Sequence, residues 1–140
     1  MKIEALADVD AVALAGAAFT ATQAREAVGS RGRFVMAVSG GHTPWKMLRA
    51  LADQDVPWAH VHVVQVDERV APTGDPDRNL THLRESLLAH CPLRPEQVHS
   101  MPVESADLES AIRLCSTSPI WVSAPTATRH RSCPGIPCST

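Results

Sequence analysis

Two short clusters in this chain carry residue types that suit a phosphorylated ligand. The first, Ser39-Gly40-Gly41-His42-Thr43-Pro44, closes an apolar run that starts at Phe34. Two glycines let the backbone approach a ligand without a Cβ in the way. Thr43 is a good helix N-cap, and Pro44 suits the first helical position, where its missing N–H costs nothing. The helix that follows then aims free N–H groups and the positive end of its dipole at the turn, which is the chemistry of an anion site. The same pattern also fits an ordinary strand-to-helix turn whose glycines serve only packing. It is neither a Walker A loop nor a G-x-G-x-x-G fingerprint, so a small phosphorylated metabolite is a better candidate than a nucleotide.

The second cluster is Asp67-Glu68-Arg69, which follows the apolar run Val61 to Val66 directly, with Arg78 and Asn79 beyond a turn-rich loop. An acid and a guanidinium would orient and neutralise a phosphorylated substrate, although a solvated charge cluster after a strand is a common alternative. Asn79 serves equally as a helix N-cap or as a ligand contact.

These clusters need elements to position them. Phe34 to Val38 is a short continuous apolar segment, expected to be a strand covered on both faces. A helix carrying Met47, Leu48 and Leu51 on one side runs from Pro44 to the polar Asp53–Asp55 segment, and Val61 to Val66 forms a second strand. Strand, helix, strand at this spacing is a βαβ unit with a parallel sheet, and such sheets bind ligands beyond the carboxyl ends of their strands. Upstream, Leu14, Ala17, Ala21, Ala24 and Val28 recur at helical spacing from Asp8 or Asp10 onward, with Gly29 and Gly32 as terminators. Met1 to Leu6 reads as a short edge strand. Downstream, Ala71 to Asp77 is a loop, Leu80 to His90 a helix with Leu80, Leu83, Leu87 and Leu88 inward, and Val98 to Met101 a short strand. Ser105 is expected to cap a helix through Asp107, Leu108, Ala111 and Ile112.

Composition narrows the function classes. The 140 residues carry a net charge of -2, with a pI near 6.4, so there is no electrostatic footprint for nucleic acid or an anionic membrane. The apolar stretch Ala11 to Phe19 is too short to span a bilayer and follows Glu4, Asp8 and Asp10 rather than a basic start, which points to a cytoplasmic, soluble chain. Cys91, Cys115, Cys133 and Cys138 form no C-x-x-C pair, and His60, His62, His82, His90 and His99 follow no ligand spacing. Neither metal nor disulfide is expected.

Several blocks together resemble the 6-phosphogluconolactonases, within the larger group that also holds glucosamine-6-phosphate deaminases. They are SGGHTP at Ser39 to Pro44, PWAHVHVVQVDERVAP at Pro57 to Pro72, RNLTHLRESLL at Arg78 to Leu88 and PEQVHSM at Pro95 to Met101, in matching order over about Ile3 to Arg113. The resemblance implies an α/β fold: a Rossmann-like, open, mostly parallel sheet with helices on both faces, here truncated. It places the sugar phosphate against Ser39, Gly40, Gly41, Thr43 and Arg69, with His42 standing where a serine or asparagine is more usual. Asp67 would orient substrate or the catalytic group, and Asn79 would lie at the rim. The activity implied is hydrolysis of 6-phospho-D-glucono-1,5-lactone to 6-phosphogluconate in the pentose-phosphate pathway, without cofactor or metal. In it a histidine base activates water and fixed donors hold the oxyanion. Arg69, where deaminases usually carry an aromatic residue, favours the lactonase branch. A deaminase or isomerase of amino-sugar phosphates, and a non-catalytic sugar-phosphate-binding module, are the alternatives.

The catalytic histidine of that family lies in a later G-x-G-P-D-G-H-T-A-S-L-type segment that this chain lacks. After Arg113 the composition changes: no acidic residue occurs from Leu114 to Thr140, and 16 of those 27 residues are Ser, Thr, Pro or Cys. A disordered tail is one reading. The genetic code offers another. With GC-rich codons for Cys115 to Thr140, grouping the bases one position earlier permits F-D-L-A-H-L-G-L-G-P-D-G-H-T-A-S-L-V-P-G-D-P-V-L-D. The unique codon of Trp121 forces the glycine after the first L of H-L-G. This looks like the missing segment. Residues 1–113 are therefore expected to form a partial lactonase-like domain and 114–140 an out-of-frame, disordered tail. As written, the chain is expected to bind a sugar phosphate without hydrolysing the lactone.

Overall fold

The computed structural model describes residues 5–110 and Arg113. Helix α1 spans Val9–Arg31, begun by the Asp8 side chain, which accepts from the Ala11 N–H at 2.8 Å, and ended by Gly32 at φ 73. Only glycine takes that conformation readily. Gly29 lies inside the helix. Its buried stripe is Ala13, Ala17, Ala21, Ala24 and Ala27, so Leu14, expected inward, is 59% exposed. Small side chains won this face because α1 lies close against the helix after β1. Even at Gly16 an added Cβ would come within 3.0 Å of Met47 Sδ.

Strand β1 is Phe34–Val38, α2 is His42–Ala52, β2 is Val61–Gln65 and β3 is Val98–His99. The three strands form one parallel sheet in the order β1-β2-β3, with Phe34 opposite Val61, Val38 opposite Gln65 and Val63 opposite Val98. α3, Asn79–Leu83, continues as a π-helical turn, Arg84–Leu88, and presents Leu80, Leu83 and Leu87 inward. This is the expected α/β architecture with an open parallel sheet. The edge strand expected at Met1 to Leu6 falls mostly outside the described residues; Ala5 and Leu6 are irregular. The tail from Leu114 also lies outside them.

One core unites Ala17, Ala21 and Ala24 of α1, Leu48 and Leu51 of α2, Leu80, Leu83 and Leu87, and Met36, Val38, Val61 and Val63 of the sheet. Burying a Leu or Val side chain in such a layer contributes about 1.5–3 kcal/mol. Trp58 closes the core below β2, and the Gln97 amide holds that corner by donating to the carbonyls of Trp58 and Val61 at 2.7 and 2.6 Å. β1 differs from expectation. Met36 and Val38 are buried, but Val35 and Ala37 are exposed, so the strand alternates instead of being covered on both faces. Near residue 105 the helix start is capped by Asp107, whose carboxylate accepts from the Ser110 N–H at 3.1 Å, while Ser105 bonds the Asp107 carbonyl. Ala111 and Ile112 are outside the described residues.

Candidate functional site

The turn after β1 is built from backbone. Gly41 has φ 128 and ψ 154 and immediately precedes α2, for which no side chain supplies an N-terminal hydrogen bond. A residue with a Cβ would be strained there. The helix starts at His42, so Thr43 and Pro44 are its second and third residues rather than cap and first position. Glycine at the cap, free of Cβ clash, moves the helix start toward the strand. Gly40 sits against Asn79: a Cβ added to it would collide with the Asn79 amide, with Cγ only 2.6 Å away. The glycine is therefore required by packing.

The segment after β2 works through side chains. Glu68 turns inward, and its carboxylate accepts from the backbone N–H groups of Arg69 at 2.8 Å, Asn79 at 2.7 Å and Leu80 at 2.9 Å, and from the Gln65 amide at 3.2 Å. Burial pushes its pKa up, but these donors, Arg69 and Leu80 first, outweigh burial and hold it below the usual carboxylate range. Buried Arg78 places Nε 3.5 Å from the same carboxylate. Its Nη1 donates to Glu104 at 2.9 Å and to the Ala71 carbonyl at 3.3 Å, tying down the 71–77 loop. Thr73 also bonds Glu104. Glu68 and Arg78 stood near the second cluster in sequence without a role of their own, because nothing there says which member of Asp-Glu-Arg turns inward.

Asp67 and Arg69 flank Glu68 and stay exposed. Asp67 accepts from the Asn79 amide at 3.1 Å through Oδ2. Asn79 is the first residue of α3, with Arg78 before it, so its side chain links Asp67 to the glycine turn instead of capping its own helix. The result is a cleft of about 540 Å³ lined by Gly40, Gly41, Trp45, Asp67, Arg69, Val70, Ala71, Pro76, Asp77, Asn79 and His82. Five of the predicted site residues meet in it: Gly40, Gly41, Asp67, Arg69 and Asn79. Ser39 lines two neighbouring cavities on the β1 side. His42 and Thr43 are exposed in the first turn of α2 and do not line the cleft.

The aromatic wall of the cleft was not legible in sequence. Trp45 stacks on His82 with ring centroids 3.9 Å apart, and His42 meets the Trp45 ring edge-on at 5.4 Å. His82 Nε2 donates to the Pro76 carbonyl at 2.8 Å, so the stack joins α2 to the loop over the cleft. Away from the site, His62 and His99 pair across β2 and β3 at 3.2 Å. Burial first, and then Arg33 and Arg94, lower the pKa of His62; burial and His62 lower that of His99. No three metal-ligating side chains converge among the described residues. No helix among them is long and apolar enough to cross a membrane.

Chemically, the cleft offers an unblocked helix start, a glycine turn, a cation in Arg69 and a carboxylate–amide pair in Asp67 and Asn79. That set can hold a phosphate and orient a polyhydroxyl chain beside it.

Known proteins resemble this chain in sequence and in fold. Residues 7–118 match the model of the family described as glucosamine-6-phosphate isomerases/6-phosphogluconolactonase. A 6-phosphogluconolactonase of Synechocystis is 36% identical over 88 residues, covering 63% of this chain and 37% of the relative. One of Mycobacterium leprae is 34% identical over 116 residues, covering 79% and 47%. The crystal structure of 6-phosphogluconolactonase from Thermotoga maritima superposes with a TM-score of 0.70 at 24% identity, over 79% of this chain and 50% of that one. The chain thus spans about half, or less, of the proteins it matches. Across that span it belongs to the glucosamine-6-phosphate isomerase/6-phosphogluconolactonase family.

Proposed function

We propose that this chain carries the phosphate-anchoring half of a 6-phosphogluconolactonase site, whose whole enzyme hydrolyses 6-phospho-D-glucono-1,5-lactone to 6-phosphogluconate. The observation that carries this reading is the convergence of Gly40, Gly41, Asp67, Arg69 and Asn79 on one cleft. The phosphate lies at the start of α2, where the N–H groups of the first turn and the Arg69 guanidinium receive it. Asp67, held by Asn79, accepts hydrogen bonds from substrate hydroxyls. Ser39 and Thr43 border the anchor, and His42 contributes through its contact with Trp45. Anchoring through a remote phosphate positions the lactone carbonyl against a base and a water held elsewhere.

The base is the histidine of the G-P-D-G-H segment that the alternative frame spells after Arg113. Residues 114–140 as written are then an out-of-frame product, and 1–113 a partial domain. The 140-residue chain binds 6-phosphogluconate and does not turn over the lactone. Two measurements test this. Sequencing the gene across Arg113 should show a slipped frame; an intact frame encoding the written tail in related genes as well would overturn the out-of-frame reading. Lactone hydrolysis should appear only in the frame-restored protein, without ammonia release from glucosamine 6-phosphate. Lactonase turnover by the purified 140-residue chain would refute the assignment of the base.

A further inference from the structure

We propose that Asp77 is a specificity-determining residue of the cleft. Its carboxylate accepts hydrogen bonds from hydroxyl groups on the ligand's carbon chain, at a distance from the phosphate that the Trp45–His82 stack fixes. This role rests on the phosphate anchor proposed above, to which it adds the selection of what the phosphate carries.

Two opposite charges line the cleft without meeting. Arg69 and Asp77 are both exposed there. Among the described residues, the Arg69 guanidinium and the Asp77 carboxylate make no hydrogen bond or ion pair, with each other or with a third group; each residue bonds only through its backbone N–H. Asp67 lines the same cleft with Oδ2 taken by Asn79. Two carboxylates against one guanidinium leave an excess of negative charge. A phosphate received by Arg69 is repelled by the acids unless the rest of the ligand brings donors to them. The cleft has room for that rest: its 540 Å³ falls within the range of small-molecule sites, about 300–1,000 Å³.

Asp77 is held in place from both sides. Pro76, before it, offers its carbonyl to His82 Nε2 at 2.8 Å. A carbonyl only accepts, so this ring nitrogen carries the proton. Arg78, after it, is 3% exposed and donates its backbone N–H to the Asp75 carbonyl at 3.1 Å. His82 in turn stacks on Trp45, with ring centroids 3.9 Å apart and 24° between the planes. Trp45 lies in the first turn of α2, the helix whose start receives the phosphate. Trp45, His82 and Pro76 thus tie the loop that carries Asp77 to the helix that carries the anchor. Groups fixed before the ligand arrives lose little freedom on binding, which makes a few polar contacts selective. A ligand that satisfies Arg69 and Asp77 together must carry hydroxyls on a chain attached to its phosphate.

Calorimetric titration of the full 140-residue chain tests this with glucitol 6-phosphate, glucosamine 6-phosphate and inorganic phosphate. Asp77→Ala should weaken glucitol 6-phosphate at least tenfold, the loss of a hydrogen bond to a charged acceptor. Affinity for inorganic phosphate should hold or rise, and that retained binding also shows the variant to be folded. Asp77→Asn, which keeps an acceptor oxygen, should recover part of the loss. His82→Phe keeps an aromatic stack without the bond to Pro76 and should weaken glucitol 6-phosphate at least threefold. In the Asp77→Ala background the same change should add nothing, because a positioning residue acts through what it positions. An additive loss, or none in the single variant, would overturn the positioning role of His82. Parallel loss of glucitol 6-phosphate and inorganic phosphate in Asp77→Ala, or loss of neither, would overturn the role of Asp77. A loss confined to glucosamine 6-phosphate would assign the carboxylate to an ammonium group and overturn its role toward hydroxyls. Failure of the unaltered chain to bind any of the three would sink the anchor and Asp77 together; every other adverse outcome leaves the anchor standing.

Discussion

Two turns of this molecule solve the same problem in opposite ways. Both lead from a parallel strand to a helix and leave the first N–H groups of that helix without partners in the helix itself. After β2, the Glu68 carboxylate occupies the space before α3 and takes the N–H groups of Asn79 and Leu80. After β1, two glycines occupy the corresponding place and no side chain caps α2. One turn holds an internal anion; the other leaves its helix start without a side-chain partner. On the proposed reading, the difference between scaffold and ligand site is whether the chain places one of its own carboxylates at the helix start.

The largest expected effect lies on the scaffold side. Glu68→Ala should destabilise the fold by about 3–5 kcal/mol, because it takes from buried Arg78 one of its two carboxylates and leaves two helix N–H groups without an acceptor. Urea unfolding measures it; a loss below about 1 kcal/mol would mean that the two turns are not different in kind. The same contrast has a pH signature. The pKa of Glu68 is lowered in the folded state, so its stabilisation is complete above the ordinary carboxylate range and is lost as pH falls through the lowered folded value. Glu68→Gln should flatten the acid limb of the stability profile.

On the ligand side, Gly41→Ala should cost about 1–3 kcal/mol of stability through strain at φ 128. It should also remove most binding of 6-phosphogluconate, read by calorimetry. Arg69→Ala should separate the functions: stability should change by no more than about 0.5 kcal/mol, as for an exposed residue, while binding weakens by about 1.5–3 kcal/mol, a charged hydrogen bond. Equal loss of stability and binding would place Arg69 with the scaffold. The smallest effect belongs to the His62–His99 pair, remote from both turns. Burial lowers the pKa of each, so the folded state binds protons less readily than the unfolded chain. Stability should fall as pH drops through the ordinary histidine range, and His99→Gln should lessen that fall without touching ligand affinity.

Much of this was legible in the residues. Apolar runs ending in a glycine turn and in Asp67-Glu68-Arg69 determined the βαβ unit, the sheet direction and the end of the sheet at which chemistry would gather, since strand and helix periods are local properties of the chain. The order of the matching blocks determined the family. What local pattern could not supply was orientation. Whether Asp67 or Glu68 turns inward depends on how β2 ends against α3, and whether Leu14 or Ala13 faces the core depends on how close α1 lies to α2. The stacking of Trp45 on His82 joins residues far apart in sequence, and Asn79 became a strut between Asp67 and Gly40 rather than a cap. The half-covered β1, read in sequence as a fully buried strand, is decided by which of its faces meets α1 and α2 among the described residues. Periodicity and turn chemistry act over a few residues and are written in the chain; the partner that each face meets is set by packing, and only the folded sheet and helices decide it.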